Sequence, residues 1–318
     1  MATQILRIGT RGSKLALVQV KIILNLLRKI NSSYQYKITV IKTKGDLDKK
    51  KPLFSMDRKG IFEKEIDEAV VNREVDFAVH SIKDVPSDLP PSLILASIPK
   101  RESPGDVLIS KNKIMLKDLP SGSVIGTSSL RRAVQLLSMR NDLEIKPIRG
   151  NVETRIKKVL EGNYTAIVLA EAGLKRMKLT NYITERLDKK KFVPAPGQGA
   201  MGLICRRDNY KLIKLLKKIE HKQSKTSILA ERSLVSKIEG GCRFPIGAFA
   251  RSSFQTQKIY FHSKIFSADG KKIIDIKKTG NYKYPKRFGN SIAKLLIKNG
   301  ALDLAKDWEV TLDEWNRN

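Results

Sequence analysis

A short strand that delivers the first turn of a helix occurs twice in this chain, and the repetition narrows the folds open to it. Ile8-Gly9-Thr10 runs through Arg11-Gly12-Ser13 into an apolar stripe at 13–30, and Ile125-Gly126-Thr127 runs through Ser128-Ser129 into another at 129–141. Around the first unit, strand-like segments at 5–10, 36–43, 75–81 and 93–99 alternate with helical patterns at 13–30 and 59–74. Around the second, strands near 106–110, 123–127, 145–149 and 165–170 alternate with helices near 129–141 and 151–162. Such alternation predicts parallel sheets covered on both faces, with ligands outside the carboxyl ends of the strands. Two α/β lobes follow. The turn-rich stretches 100–105 (KRESPG) and 191–199 (KFVPAPGQG) are the crossings between them, and GAMGLICR at 199–206 reads as a strand returning to the first lobe.

The expected organisation is a first lobe of residues 1–99 with 200–219, a second of 100–199, and a C-terminal α+β domain, 220–318. The last is built on a long helix from about 222, an antiparallel sheet of strands near 245–251, 257–266 and 271–278, and a helix near 286–299. A chain of 318 residues is long enough for two or three separate cores.

The net charge of +30 invites a nucleic-acid reading. Against it, the lysines are scattered through almost every segment, aromatics are only 6%, and no helix-turn-helix, zinc spacing or aromatic-basic platform is present. No nucleic-acid partner is expected, and most lysine, such as Lys217, reads as solvated surface. The most apolar helical stretch, LALVQVKIILNLL, is interrupted by Gln19 and Lys21, so no membrane partner is expected either. Two cysteines make no disulfide framework and the N-terminus carries no signal-peptide pattern, which points to a cytoplasmic protein.

The arginines sit elsewhere than the lysines. Arg11 follows the first strand, Arg131-Arg132 occupy the first turn of a helix, Arg149 ends a strand, Arg155 lies early in a helix capped by Asn151, and Arg176 follows AEAGLK. A helix start disfavours cations, so Arg131-Arg132 there call for an anion, and a polyanionic ligand is the economical one; a solvated surface is the plainer alternative. Ser13 and Ser128 or Ser129 are N-cap candidates whose helix starts would form anion cradles. Asp84, in HSIKDVP directly after a strand, sits where an α/β site is expected, although Asp before Val-Pro is also a common turn residue. His80 reads as structural, and three histidines without paired Cys/His spacing argue against a metal site. Cys242, in EGGCRFPIG, is either an inert buried thiol in a turn or a thiol given room by Gly240-Gly241 to approach something bulky.

Taken together, RIGTRGSKLAL, KGIFEKEIDEAV, DFAVHSIKDVPSDLP, GTSSLRRAVQL, IRGNVETRI, AEAGLKRM, PAPGQGAMG and EGGCRFPIG resemble the porphobilinogen deaminase (hydroxymethylbilane synthase) family, in order, from about residue 5 to 250. The resemblance implies two lobes of the type II periplasmic-binding-protein kind with parallel-rich sheets, plus a C-terminal domain with a three-stranded antiparallel sheet. It implies a cytoplasmic, monomeric enzyme of haem biosynthesis that joins four porphobilinogen molecules head to tail into hydroxymethylbilane, releasing ammonia. By residue-wise carry-over, Cys242 would hold a covalent dipyrromethane cofactor through a thioether. Arg11, Ser13, Lys83, Thr127, Ser129, Arg131, Arg132, Arg149, Arg155 and Arg176 would hold cofactor and substrate carboxylates. Asp84 would face the pyrrole N–H groups and stabilise an azafulvene-like cation, and Gln198 and Gly199 would line the hinge side of the cleft. Cys205, inside a strand pattern, keeps a structural reading.

Two departures stand out. Asp57-Arg58 replace the glycines usual before Lys59-Gly60, at the end of an expected lid near 44–58, and Lys14 replaces a proline often found after the serine of the first motif. A lysine at a helix start is mildly unfavourable where proline is favoured. From another functional class, a non-catalytic two-lobed anion-binding protein would share the fold of the first two lobes; Cys242 and Asp84 discriminate against it.

Overall fold

The computed structural model describes residues 5–47, 63–238, 245–304 and 308. The segment with Asp57-Arg58 and most of the expected lid, and the segment with Cys242, therefore lie outside the described residues.

The first sheet starts with β1 (Ile5–Thr10), followed by α1 (Lys14–Ile30), β2 (Gln35–Val40), α2 (Lys44–Leu47), α3 (Lys64–Val71), β3 (Phe77–Ser81) and β4 (Leu93–Ser97). The chain then crosses to a second sheet of β5 (Asp106–Ser110), β6 (Val124–Gly126), α4 (Leu130–Met139), β7 (Glu144–Lys146), α5 (Val152–Leu160), β8 (Ala166–Ala170), α6 (Glu171–Arg176) and β9 (Glu185–Arg186). It returns through β10 (Met201–Arg206) and α7 (Tyr210–Lys217) to the first. The sheet orders are β2-β1-β3-β10-β4 and β7-β6-β8-β5-β9.

Neither sheet is wholly parallel. The β1–β2, β1–β3, β6–β7 and β6–β8 pairs are parallel, while β10 runs antiparallel to β3 and β4, and β5 antiparallel to β8 and β9. The two reversed strands are those entered from a crossing. A chain arriving at the cleft meets a sheet at the carboxyl edge of its parallel strands, so its first strand must run away from that edge.

α1 shows why the apolar run is a helix and not a membrane span. Ala16, Val20, Ile23, Leu24 and Leu27 recur at three- and four-residue steps and are buried against β1 and β3, with the polar Gln19 buried among them. Removing one such side chain, as in Leu27→Ala, costs about 2–5 kcal/mol. Among the described residues no helix is long and apolar enough to cross a membrane.

The third sheet has the order β11-β12-β13, from β11 (Ile246–Ser253), β12 (Lys258–Phe266) and β13 (Ile273–Asn281), all antiparallel. α8 (Lys222–Ile238) and α9 (Pro285–Lys298) cover one face through Ala230, Leu234, Ile292 and Leu296. This unit is sewn to the crossings. The Ala248 amide donates to the Pro194 carbonyl at 2.8 Å, and a Cβ at Gly247 would lie 2.8 Å from Val193 Cβ, so only glycine allows β11 this close.

Candidate functional site

Between the first two sheets lies a cleft of about 820 Å³, walled by the ends of β3 and β8 and the starts of α1, α4, α5 and α6. Cations outnumber acids in its lining: Arg11, Lys14, Lys83, Arg132, Arg149, Arg155 and Arg176 stand against Glu63, Asp84 and Glu153, alongside Ser13, Ser129, Gln198 and Gly199. Thr127 and Arg131 do not reach it. A smaller pocket of about 360 Å³ beside α8 contains none of these residues.

The helix starts aimed at the cleft differ in construction. Ser13 Oγ accepts from the Ala16 amide at 3.3 Å and caps α1, and Asn151 Oδ1 accepts from the Thr154 amide at 2.8 Å and caps α5. Ser129 has the N-cap position of α4 but makes no side-chain cap, and Ser128 Oγ instead donates to the Ile148 carbonyl at 2.7 Å, fastening α4 to the end of the neighbouring strand. Thr127 Oγ1 accepts from the Ser129 amide at 3.2 Å, shaping that turn from behind.

The expectation that Arg131-Arg132 demand an external anion meets a different answer: the chain supplies one. Asp106, only 1% exposed, accepts from Arg131 Nη2 at 2.8 Å, from Arg132 Nε at 2.9 Å and Nη2 at 2.7 Å, and from Gln198 Nε2 at 3.0 Å. Burial by itself would raise the Asp106 pKa, but the two guanidiniums outweigh it and hold the carboxyl below its ordinary range. Arg131 lies wholly inside, its Nη1 donating to the Val193 carbonyl at 2.7 Å, while its buried Nε finds no acceptor among the described residues. Arg132 also shows part of its surface to the cleft.

A second buried carboxylate fixes the crossings. Glu231 of α8 is fully buried and accepts from Arg101 Nη1 at 2.7 Å and Nη2 at 3.1 Å, and from the Gly197 and Ala250 amides at 2.7 Å each. One side chain thus joins both crossings to β11. Gly199, at φ +85°, lets the crossings touch: a Cβ there would fall 2.5 Å from the Glu102 carbonyl oxygen. Arg176 Nη2 donates to the Gly199 carbonyl at 2.7 Å.

Among the described residues Arg155 and Arg176 form no such ion pair. Among the described residues Arg155 meets no carboxylate; its Nε donates to the Gly150 carbonyl at 2.7 Å, and burial, then Arg132 and Arg149, pull its pKa down to about 10. Arg176 is likewise lowered to about 10, chiefly by burial, with Glu102 opposing. Asp84 and Lys83 lie on the turn after β3, which Arg232 of α8 secures by donating to the carbonyls of Val85, Pro86 and Ser87. Asp84 favours the Lys83 ammonium most strongly, but enclosure in the cleft and the nearby Arg132 and Arg155 more than offset it, so the Lys83 pKa is lowered. Their side chains stay wet although protein surrounds the cleft on most sides.

His80 lies buried on the cleft wall with Nε2 3.3 Å from an Asp67 carboxylate oxygen. Cys205 is fully buried in β10, and burial pushes its thiol up to about 12, so it stays an unionised packing group. Among the described residues no three His, Cys, Asp or Glu side chains gather as metal ligands.

Sequence reasoning missed Asp106, Arg101, Glu231 and Arg232. Each acts on a partner tens of residues away, which no local motif reveals. Gln19 was seen only as a break in an apolar run, yet it lines the cleft and its Nε2 donates to Ser81 Oγ at 2.9 Å.

Residues 6–214 match the family described as "Porphobilinogen deaminase, dipyromethane cofactor binding domain", and residues 225–298 match "Porphobilinogen deaminase, C-terminal domain". The chain is 49% identical over 310 residues to a probable porphobilinogen deaminase of Nitrosopumilus maritimus, covering 98% of each, and 42% identical over 310 residues to the porphobilinogen deaminase of Bacillus subtilis, covering 97% of this chain and 98% of that one. Among solved structures, substrate binding domain 2 of Lactococcus lactis GlnP is similar at 14% identity and a TM-score of 0.42, over 69% of this chain and 88% of that one. With matches spanning all three sheets, the chain belongs to the porphobilinogen deaminase family of enzymes, and its first two sheets carry that family's dipyrromethane-binding domain.

Proposed function

We propose that this enzyme condenses four porphobilinogen molecules head to tail into hydroxymethylbilane, with loss of ammonia at each addition, on a dipyrromethane primer held by a thioether to Cys242. The observation that carries the reading is a cleft whose lining brings Arg149, Arg155 and Arg176 together with Asp84, while Arg155 meets no acid among the described residues. Each pyrrole of such a chain bears two carboxylates, so the donor set fits the group: Arg11, Arg132, Arg149, Arg155, Arg176 and Lys83 would pair with them, and Ser13 and Ser129 would offer the starts of α1 and α4. When bound, the primer supplies a free α-carbon of a pyrrole as nucleophile.

The chain's own groups do the rest. As the C–N bond of porphobilinogen breaks, ammonia leaves with the electron pair and positive charge spreads onto the pyrrole. Asp84, on a turn clamped from behind by Arg232, offers a fixed carboxylate to that charge. The proton that must leave once the new carbon–carbon bond has formed would pass to the same carboxylate. Arg131 and Thr127 act from behind the wall, Arg131 by holding Asp106 and Thr127 by shaping the turn before α4. Gln198 and Gly199 form the floor at the crossings. The three units, residues 1–99 with 200–219, 100–199 and 220–318, would work as two lobes and a cofactor-bearing domain of a cytoplasmic monomer with no nucleic-acid or membrane partner.

Intact mass tests the reading. The parent and Cys205→Ala proteins should be heavier than the bare chain by two condensed pyrrole units, and Cys242→Ala should not. An adduct lost with Cys205 and kept without Cys242 would overturn the assignment. No adduct and no turnover in the parent protein would leave a two-lobed anion-binding protein.

A further inference from the structure

Lys14 stands where helix electrostatics disfavour a cation. It is the first residue of α1, and the first turn of that helix holds no acidic side chain to offset it. Its ammonium reaches across the cleft instead. Nζ lies 2.5 Å from Oε1 of Glu153, in the first turn of α5, so two helix starts belonging to different sheets are tied together. Beside the pair, Leu15 of α1 packs over Gly173 of α6. Both charged residues line the cleft, and with 64% and 41% of their side chains exposed, either partner is open to exchange.

The position matters because the deeper cations are finite in number while a lengthening pyrrole chain brings two carboxylates with every unit. Glu153 is itself an anion at the helix start that would otherwise receive a ligand carboxylate, and it occupies a lysine that could serve as one more binding group. A carboxylate of the ligand that replaced Glu153 on Lys14 would keep the number of ion pairs unchanged and untie the two helix starts in the same event.

We propose that Lys14 is a further carboxylate-binding residue of this enzyme, covered by Glu153 in the resting cleft and transferred to a carboxylate of the bound ligand. The proposal rests on the porphobilinogen reading above. It predicts opposite effects from the two ends of one ion pair: Lys14→Met removes a binding group, and Glu153→Gln removes its competitor.

The test is steady-state turnover of porphobilinogen by the holoenzymes at about 0.05 M and about 1 M salt, where screening lengths differ several-fold. At low salt KM should rise about two- to five-fold in Lys14→Met, fall by a similar factor in Glu153→Gln, and stay near the parent value in Lys14→Arg, with kcat little changed; this is the range of exposed ion pairs. At high salt the differences should close. Zero-length carbodiimide cross-linking of the resting holoenzyme should yield a Lys14–Glu153 isopeptide, depleted at least about two-fold once porphobilinogen is bound, as expected for exchange of an exposed pair. Shifts of KM in the same direction for both variants, no shift in either, or an unchanged cross-link yield would overturn the proposal while normal parent turnover left the functional reading standing. A parent holoenzyme without turnover would overturn both.

Discussion

The arginines of the hinge and the arginines of the cleft are one residue type under opposite conditions. At the hinge, the Arg101 and Arg131 side chains are buried, but each faces a carboxylate that is itself buried, Glu231 for the first and Asp106 for the second. Arg132 shares Asp106 and also shows part of its surface to the cleft, so it belongs to both regions. In the cleft, Arg155 and Arg176 are partly buried against backbone carbonyls with no ion pair among the described residues. Burial lowers their pKa values to about 10 and also lowers that of Arg131, so it is the carboxylate partner, not the shift, that separates the two groups. A guanidinium compensated by its own chain is structural, and removing its partner exposes the full cost of burying charge. On the function proposed above, a guanidinium left short of an anion would be a binding group, held ready at some cost to the fold. The division runs between charge already answered and charge awaiting an answer.

Substitution at the hinge should produce the largest change. Asp106→Asn leaves Arg131 and Arg132 buried without an anion and is expected to destabilise the protein by about 3–5 kcal/mol in urea unfolding. A loss below about 1 kcal/mol would mean that the hinge arginines are no better compensated than those of the cleft.

Asp84→Asn should act on rate alone. Turnover is expected to fall at least about 10²-fold, the range for removing one positioned charge or acid/base group, with unfolding unchanged and the adduct on Cys242 retained. Near-normal turnover would take Asp84 out of the chemistry.

The pH dependence separates the regions more gently. Asp106 has a folded pKa below its unfolded value of about 3.9, so the stability it contributes is complete above that value and is lost as the pH falls through the folded one. Acid titration of the parent and of Asp106→Asn, followed by tryptophan fluorescence, should show the parent's advantage shrinking below about pH 4. An advantage that persists undiminished at about pH 2 would contradict the assignment.

Lys217, exposed near the end of α7, should matter least. Its replacement by Ala should change stability by less than about 0.5 kcal/mol and leave turnover untouched. A crippled enzyme would end the distinction between working arginines and solvated lysines.

Much of the fold could be read from the sequence because its signals are local. The strand-to-helix units, the N-cap at Ser13 and the cap at Asn151 are matters of a few neighbouring residues. The antiparallel course of β5 and β10 was not legible, since direction is imposed by where a crossing enters a sheet. The same limit separates the site residues. Arg155 and Arg131 look alike in sequence, each in the first turns of a helix after a strand, and only the position of Asp106, at the start of a strand reached through a crossing, tells them apart. Lys14 was visible as a misplaced cation, but Glu153, which answers it, lies in another sheet's helix.

Arg155→Leu, measured for stability and for turnover on the same preparation, tests the division most directly. If Arg155 is held for ligand carboxylates, urea unfolding should move by no more than about 1 kcal/mol, because the substitution loses one bond to the Gly150 carbonyl and relieves repulsion from Arg132 and Arg149. KM for porphobilinogen should meanwhile rise by about tenfold or more, or assembly of the adduct on Cys242 should fail, since a charge-assisted pair is worth about 1.5–3 kcal/mol. Loss of several kcal/mol of stability with KM and adduct unchanged would contradict the account and place Arg155 with the hinge.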